Sequence, residues 1–215
     1  MRHIIALAIA MLPIAATAQN DNTTVSSGQT STARTELFRQ DPRKKDANYL
    51  QGAVPEVNGK VLFDAKWDVP GKSADEIYDL VAMCIKKMTV APNQTKETKI
   101  VSDDSKSHSL VAHFSEQLVF EKSALSIDYT IIDYDLTVKT ADGHVSVTMT
   151  NIHYAYEMDR EDGDGMLVTA EEWITDKYAI NKKGDKLRKY MDKFRIGTID
   201  LKNWIFANIK KQIED

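Results

Sequence analysis

Few side chains in this sequence sit at spacings that do chemistry. Asp159, Glu161, Asp162 and Asp164 crowd one stretch, and a hard cation such as calcium takes several oxygen ligands. A calcium loop starting at Asp162 and Asp164 needs Asp or Asn and then Gly at its next prescribed positions, where this chain has Met166 and Leu167. The stretch therefore reads as a solvated turn. His108, His113, His144 and His153 include no His-Glu-x-x-His or related zinc spacing. On strand parity His113 and His153 share one sheet face, where Asp133 or Asp135 would supply the carboxylate of a metal site or support a general base. Scattered surface histidines are the commoner outcome of such a pattern. There is no Gly-x-Ser-x-Gly elbow, no Gly-x-x-x-x-Gly-Lys loop and no Gly-x-Gly-x-x-Gly run. The single cysteine, Cys84, excludes an intramolecular disulfide and a zinc site of several thiolates, and its place on an apolar helical stripe marks it as a small inert hydrophobe. No catalytic residue, metal or cofactor is expected.

Composition narrows the setting. The chain has 215 residues, 42% apolar and 28% charged, as an ordinary soluble globular protein does, and a formal charge of only -4. A nucleic-acid binder shows a basic excess, so no nucleic-acid partner is expected. Arg2 and His3 precede an apolar run from Ile4 to Ala15 that ends on Ala16-Thr17-Ala18, which predicts a signal peptide over residues 1–18 with cleavage before Gln19. The run is interrupted by Pro13 and falls short of the roughly 20 apolar residues that span a bilayer. Loss of Arg2 leaves 27 of the 28 basic residues against 32 acidic ones, a mature charge of -5. No second stretch of spanning length follows, so a periplasmic or secreted protein without a transmembrane segment is expected.

The elements that position these side chains follow from periodicity. Residues 19–48 are rich in Asn, Ser, Thr and Gln, close on Arg43-Lys44-Lys45-Asp46, and read as a disordered polar leader in which Leu37 and Phe38 are the only adjacent large apolar pair. A single domain, 49–215, then opens with a strand whose Val61, Phe63, Ala65, Trp67 and Val69 share one face. Ser73 stands three residues before Glu76, the spacing of a capping box, and Ile77, Leu80, Val81, Cys84, Ile85 and Met88 predict a helix over 73–88. Strands are predicted near Lys99–Ser102, Ser109–Phe120, Ser126–Lys139 and His144–Met158, with Asp142-Gly143 as a hairpin turn and a β-bulge near Thr150-Asn151. Thr169 before Glu172 starts a short helix to about Ile180, and Leu201, Trp204, Ile205, Ile209 and Ile213 write a final helix whose start lies near Leu187 or after Gly197. The order strand, helix, four strands, helices predicts an α+β fold, an antiparallel sheet of about five strands with helices on one face.

Three stretches carry a resemblance: Gly52 to Lys60 running on through Trp67 to Ser73, Asn151 to Tyr156, and Glu171 to Tyr178. With Lys193-Phe194-Arg195 and Thr198 to Leu201 they resemble the domain-of-unknown-function family 4468, known chiefly from Bacteroidetes and similar in fold to TATA-binding protein. The resemblance implies the element order above, and no catalytic or binding residue comes with it. The fold likeness suggests DNA, but folds host unrelated functions, and export with an acidic mature chain argues otherwise.

Strand parity also selects a recognition face. Thr130, Ile132, Tyr134, Leu136 and Val138 should lie under the helices, leaving Tyr129, Ile131, Asp133 and Asp135 on the open side beside Val111 and His113. An aromatic and aliphatic pair rimmed by acids is a small ligand-binding surface. The expected function is an exported, non-enzymatic binding or scaffolding module of the bacterial cell envelope, with an envelope protein or peptide as partner. The alternative is a periplasmic hydrolase with its site at His113 and His153 on that outer face.

Overall fold

The computed structural model describes residues 42–158 and 165–214. The signal-peptide segment, residues 19–41 of the leader with Leu37 and Phe38, and the run from Asp159 to Asp164 lie outside the described residues. Two 3-10 turns, Pro42–Lys45 and Ala47–Tyr49, come first. The strands β1 (Glu56–Val57), β2 (Lys60–Val61) and β3 (Phe63–Asp68) lead into helix α1 (Ala74–Met88). Four strands follow: β4 (Lys99–Asp104), β5 (Ser109–Lys122), β6 (Ile127–Ala141) and β7 (His144–Tyr156). Then come β8 (Met166–Thr169), α2 (Ala170–Trp173), α3 (Asp176–Ala179) and α4 (Met191–Glu214).

Local chemistry sets the boundaries. At the start of α1 the Ser73 hydroxyl accepts from the Glu76 amide while the Glu76 carboxylate accepts from the Ser73 amide at 2.8 Å, the reciprocal capping predicted from their spacing. The Ala74 amide donates to Asp142 Oδ1 at 2.9 Å, so the β6–β7 turn helps to seat the same helix end. That turn closes through Gly143 at φ 70, a backbone region that costs glycine little. The expected bulge in β7 is present. Asp133 pairs with His153 and Asp135 with Thr150, and the extra residue is absorbed at Asn151, φ 54, so Val145, Val147, Met149, Ile152 and Tyr154 all reach the core.

The main sheet is antiparallel and six-stranded, ordered β3-β7-β6-β5-β4, with β8 paired to the C-terminal half of β7; β1 and β2 form a separate ribbon. Helices α1 and α4 cover one face. Ile77, Val81 and Ile85 of α1 and Phe194, Ile205 and Ile209 of α4 join Phe114, Tyr134, Leu136, Val147 and Met149 in one core. The α+β class, the antiparallel sheet and the one-sided helices are as the periodicity implied. Strand β8 was not legible, because four residues after a polar run carry no period of their own. The helix expected over 169–180 is two single turns, α2 and α3, since the chain breaks at Ile174 and Thr175. The final helix starts at Met191, between the two positions considered.

The segment 42–48, assigned above to the leader, is structured and anchored on α4. Lys44 pairs with Asp192 at 2.5 Å, and the Tyr49 hydroxyl donates to Asp200 at 2.7 Å, a carboxylate bond that with burial pushes the phenol up to about 12. Arg195, fully buried, holds this end of the domain together. Its guanidinium donates to the carbonyls of Tyr49, Leu50 and Ile174 and to Asp176 Oδ1 at 2.6–2.7 Å, and Asp176 Oδ2 accepts from the Gly52 amide. Three chain segments distant in sequence are thereby fixed to one side chain.

Candidate functional site

The face of the sheet turned away from α1 and α4 bears the residues singled out by parity. On β6 the side chains alternate as expected: Thr130, Ile132, Tyr134, Leu136 and Val138 are buried, and Tyr129, Ile131, Asp133 and Asp135 are half-buried on the open side. Register then places the outer residues in rows. Gln117, Ile131, Ala155 and Leu167 lie across β5, β6, β7 and β8, with Val119 and Tyr129 in the next row. Val119, Ile127, Met158 and Leu167 are exposed, Leu167 at 72%. Between β6 and the end of β7 runs an open groove of about 550 Å³, walled by Ile127, Tyr129, Ile131, Ala155 and Met158 with Asp128 and Glu157 at its side.

Beside this apolar end lies a polar band. His113 and Asp135 are cross-strand partners, with His113 Nδ1 2.9 Å from Asp135 Oδ1, and Asn151 donates to Asp135 Oδ2 at 2.7 Å. The bulge that rescues the phase of β7 therefore also delivers the amide that steadies Asp135. The rings of His113 and His153 share the face but not a site: His153 Nδ1 lies 2.9 Å from the Asn151 carbonyl. Among the described residues no three His, Cys, Asp or Glu side chains converge as metal ligands. The expected set thus splits into an apolar pair, Tyr129 and Ile131, and a hydrogen-bonded His113–Asp135 pair, with Asp133 between them and in no ion pair among the described residues.

Sequence reasoning missed the polar residues that shape the groove from behind. Asp128 accepts from Lys193 Nζ at 2.8 Å and from the Tyr156 hydroxyl at 2.9 Å, and the same ammonium lies 4.1 Å from the centre of the Tyr156 ring. Burial foremost, with the Asp128 bond, pushes the Tyr156 phenol far above its ordinary range. Glu116 is a second omission. It is buried on the helix side, where Tyr134 donates to it at 2.5 Å and Asn93 also donates, and burial raises its carboxyl despite these bonds. Parity puts Asp128 in phase with Thr130 and Glu116 in phase with Phe114 on the covered face, but their partners Lys193 and Asn93 come from distant elements that no local pattern identifies. Cys84 is buried as expected and its thiol is pushed up by desolvation, the setting of an unreactive sulfur. Trp204 departs from expectation: assigned to a core face, it is 54% exposed.

The comparisons with known proteins agree with this architecture. Residues 63–155 match a domain of unknown function (DUF4468) with TBP-like fold. A DUF4468 family protein from Bacteroides ovatus ATCC 8483 superposes with a TM-score of 0.72 at 34% identity, over 80% of this chain and 96% of that one. A TBP-like protein from Parabacteroides distasonis ATCC 8503, 19% identical, shares the fold with a TM-score of 0.59 over 75% and 97% of the two chains. No curated protein matches. With 34% identity over 96% of the length of a family member, the chain belongs to the DUF4468 family and has its TBP-like fold.

Proposed function

We propose that the protein is exported and works in the cell envelope as a non-enzymatic binding module that takes a protein or peptide on its outer sheet face. One observation carries this reading: Ile127, Tyr129, Ile131, Met158 and Leu167 form an exposed apolar end on a helix-free face, beside the carboxylate of Asp133. Contiguous apolar surface rimmed by polar groups is characteristic of recognition sites. The test is Tyr129→Ala combined with Ile131→Asp, read by thermal unfolding and by recovery of envelope partners on the immobilised chain. Lost recovery with an unchanged melting temperature supports the reading, and unchanged recovery refutes it. Export is tested separately, by a mature N-terminus at Gln19 in the mass spectrum of protein from the periplasm or medium.

A second reading, a hydrolase, is favoured by the His113–Asp135 pair, whose geometry leaves Nε2 of the ring for proton transfer. It predicts hydrolysis of ester or peptide substrates that His113→Ala abolishes. Lack of turnover by the wild-type chain removes it.

A further inference from the structure

The outer sheet face is matched by a second exposed surface on the opposite side of the molecule. Helices α1 and α4 run antiparallel, as shown by the Lys72 ammonium at the N-terminal end of α1 donating to the carbonyl of Ile213 near the C-terminal end of α4. Between them lies a groove of about 390 Å³ walled by Cys84, Met88, Ala91 and Trp204, with Lys87 and Lys211 on its rims. Trp204 projects from this surface at 54% exposure and Met83 is 43% exposed nearby in the sequence of α1. Among the described residues neither Lys87 nor Lys211 forms an ion pair.

The two surfaces are complementary in the properties that decide association. The helix side offers a large exposed aromatic ring between cations, and the sheet side offers an apolar groove with Asp133, in no ion pair among the described residues, two residues along β6 from Ile131. Tryptophan is the residue most enriched at the energetic centres of interfaces, and opposed charge fixes which surface it meets. We propose that the partner of the outer face is a second copy of this chain, whose Trp204 ridge enters the groove at Tyr129 and Ile131 while Lys87 or Lys211 meets Asp133. This rests on the outer face being a recognition surface. Because the two surfaces lie on opposite layers, the contact is heterologous and a dimer keeps one unused surface of each kind, one on either copy, so association extends into linear chains rather than stopping at a symmetric dimer.

Sedimentation velocity on the chain from Gln19 to Asp215, over a rising concentration series, reads the outcome. The wild type should grow past dimer and dissociate as ionic strength rises from about 0.05 M to about 0.5 M. Trp204→Ala and the double variant Tyr129→Ala with Ile131→Asp should each stay monomeric alone. Mixed together they should form a dimer and nothing larger, since each contributes one intact surface. A wild type that remains monomeric throughout, or a Trp204→Ala chain that assembles as the wild type does, overturns the proposal. If the sheet-face variant melts early, the charge pair replaces it: Asp133→Lys should block assembly and be rescued by Lys87→Glu with Lys211→Glu, and failure of both exchanges overturns the contact. Loss of Trp204 without effect on assembly, together with loss of other envelope partners in the sheet-face variant, would refute self-association while leaving the recognition face standing.

Discussion

Arg195 and His113 each pair with an aspartate, but the two pairs sit on opposite faces of the sheet and differ in how much of their bonding capacity is used. Arg195 has no exposure, and its guanidinium is committed to three carbonyls and to Asp176. His113 and Asp135 are each about 30% exposed, and the ring uses one nitrogen on the carboxylate. A buried charge persists only where it finds partners, because desolvation without them costs several kcal/mol, so every nitrogen of the Arg195 guanidinium is bonded within the fold, while Asp176 keeps 33% exposure. The outer pair meets water and needs no such completeness. Spare bonding capacity that reaches solvent is what a ligand can use, and the complete burial of the guanidinium marks Arg195 as structural.

Breaking the covered face should give the largest effect. Arg195→Ala leaves the carbonyls of Tyr49, Leu50 and Ile174 without their donor, and should lower the unfolding free energy by about 3–5 kcal/mol in chemical denaturation. A much smaller loss would mean that the N-terminal turns and α2–α3 dock by apolar contact alone. Next comes Glu116, whose carboxyl is raised by burial. A raised acid leaves stability intact below its unfolded value, near 4.5, and withdraws it as pH climbs towards the folded value. Glu116→Gln should therefore gain on the wild type as pH rises through that window, by about 1.4 kcal/mol for each unit of elevation, measured as the difference between the two denaturation curves. A constant difference would show that the network of Asn93 and Tyr134 is already satisfied by the ionised carboxylate.

Smaller effects sharpen the contrast. Ser73→Ala removes the reciprocal cap of α1 and should cost about 1 kcal/mol, visible in the melting temperature. On the open face, a double-mutant cycle between His113 and Asp135 should return a coupling of only about 0.2–1 kcal/mol, with no change in the helix signal. A coupling as large as that at Arg195 would place the outer pair in the structural class and weaken its claim to bind anything.

Much of the fold could be read from the chain because its signals are local. The capping pair Ser73 and Glu76, the three-and-four spacing of Ile77, Val81 and Ile85, and the two phases of β7 joined by a bulge at Asn151 each depend on neighbours within one turn or one strand. Parity likewise placed Tyr129, Ile131, Asp133 and Asp135 on one side of β6 before any partner strand was known. The site was legible to that extent and no further. Parity states which side chains share a face, while cross-strand register states which of them touch, so the separation of His113 from His153 and the link from Asp135 to Asn151 were not available.

By itself the sequence determined the α+β class, the alternation of buried and open positions, the helix caps and the burial of Cys84, because these follow from periods and hydrogen bonds within a few residues. Tertiary structure alone decided that residues 42–48 belong to the domain, that Arg195 is the tie between three remote segments, that Asp128 meets Lys193 and Glu116 meets Asn93, and that Trp204 faces water. Each of those outcomes depends on which distant surface comes to lie against a residue. That is settled by the packing of α4 across the sheet, and the chain encodes it only through the sum of its contacts.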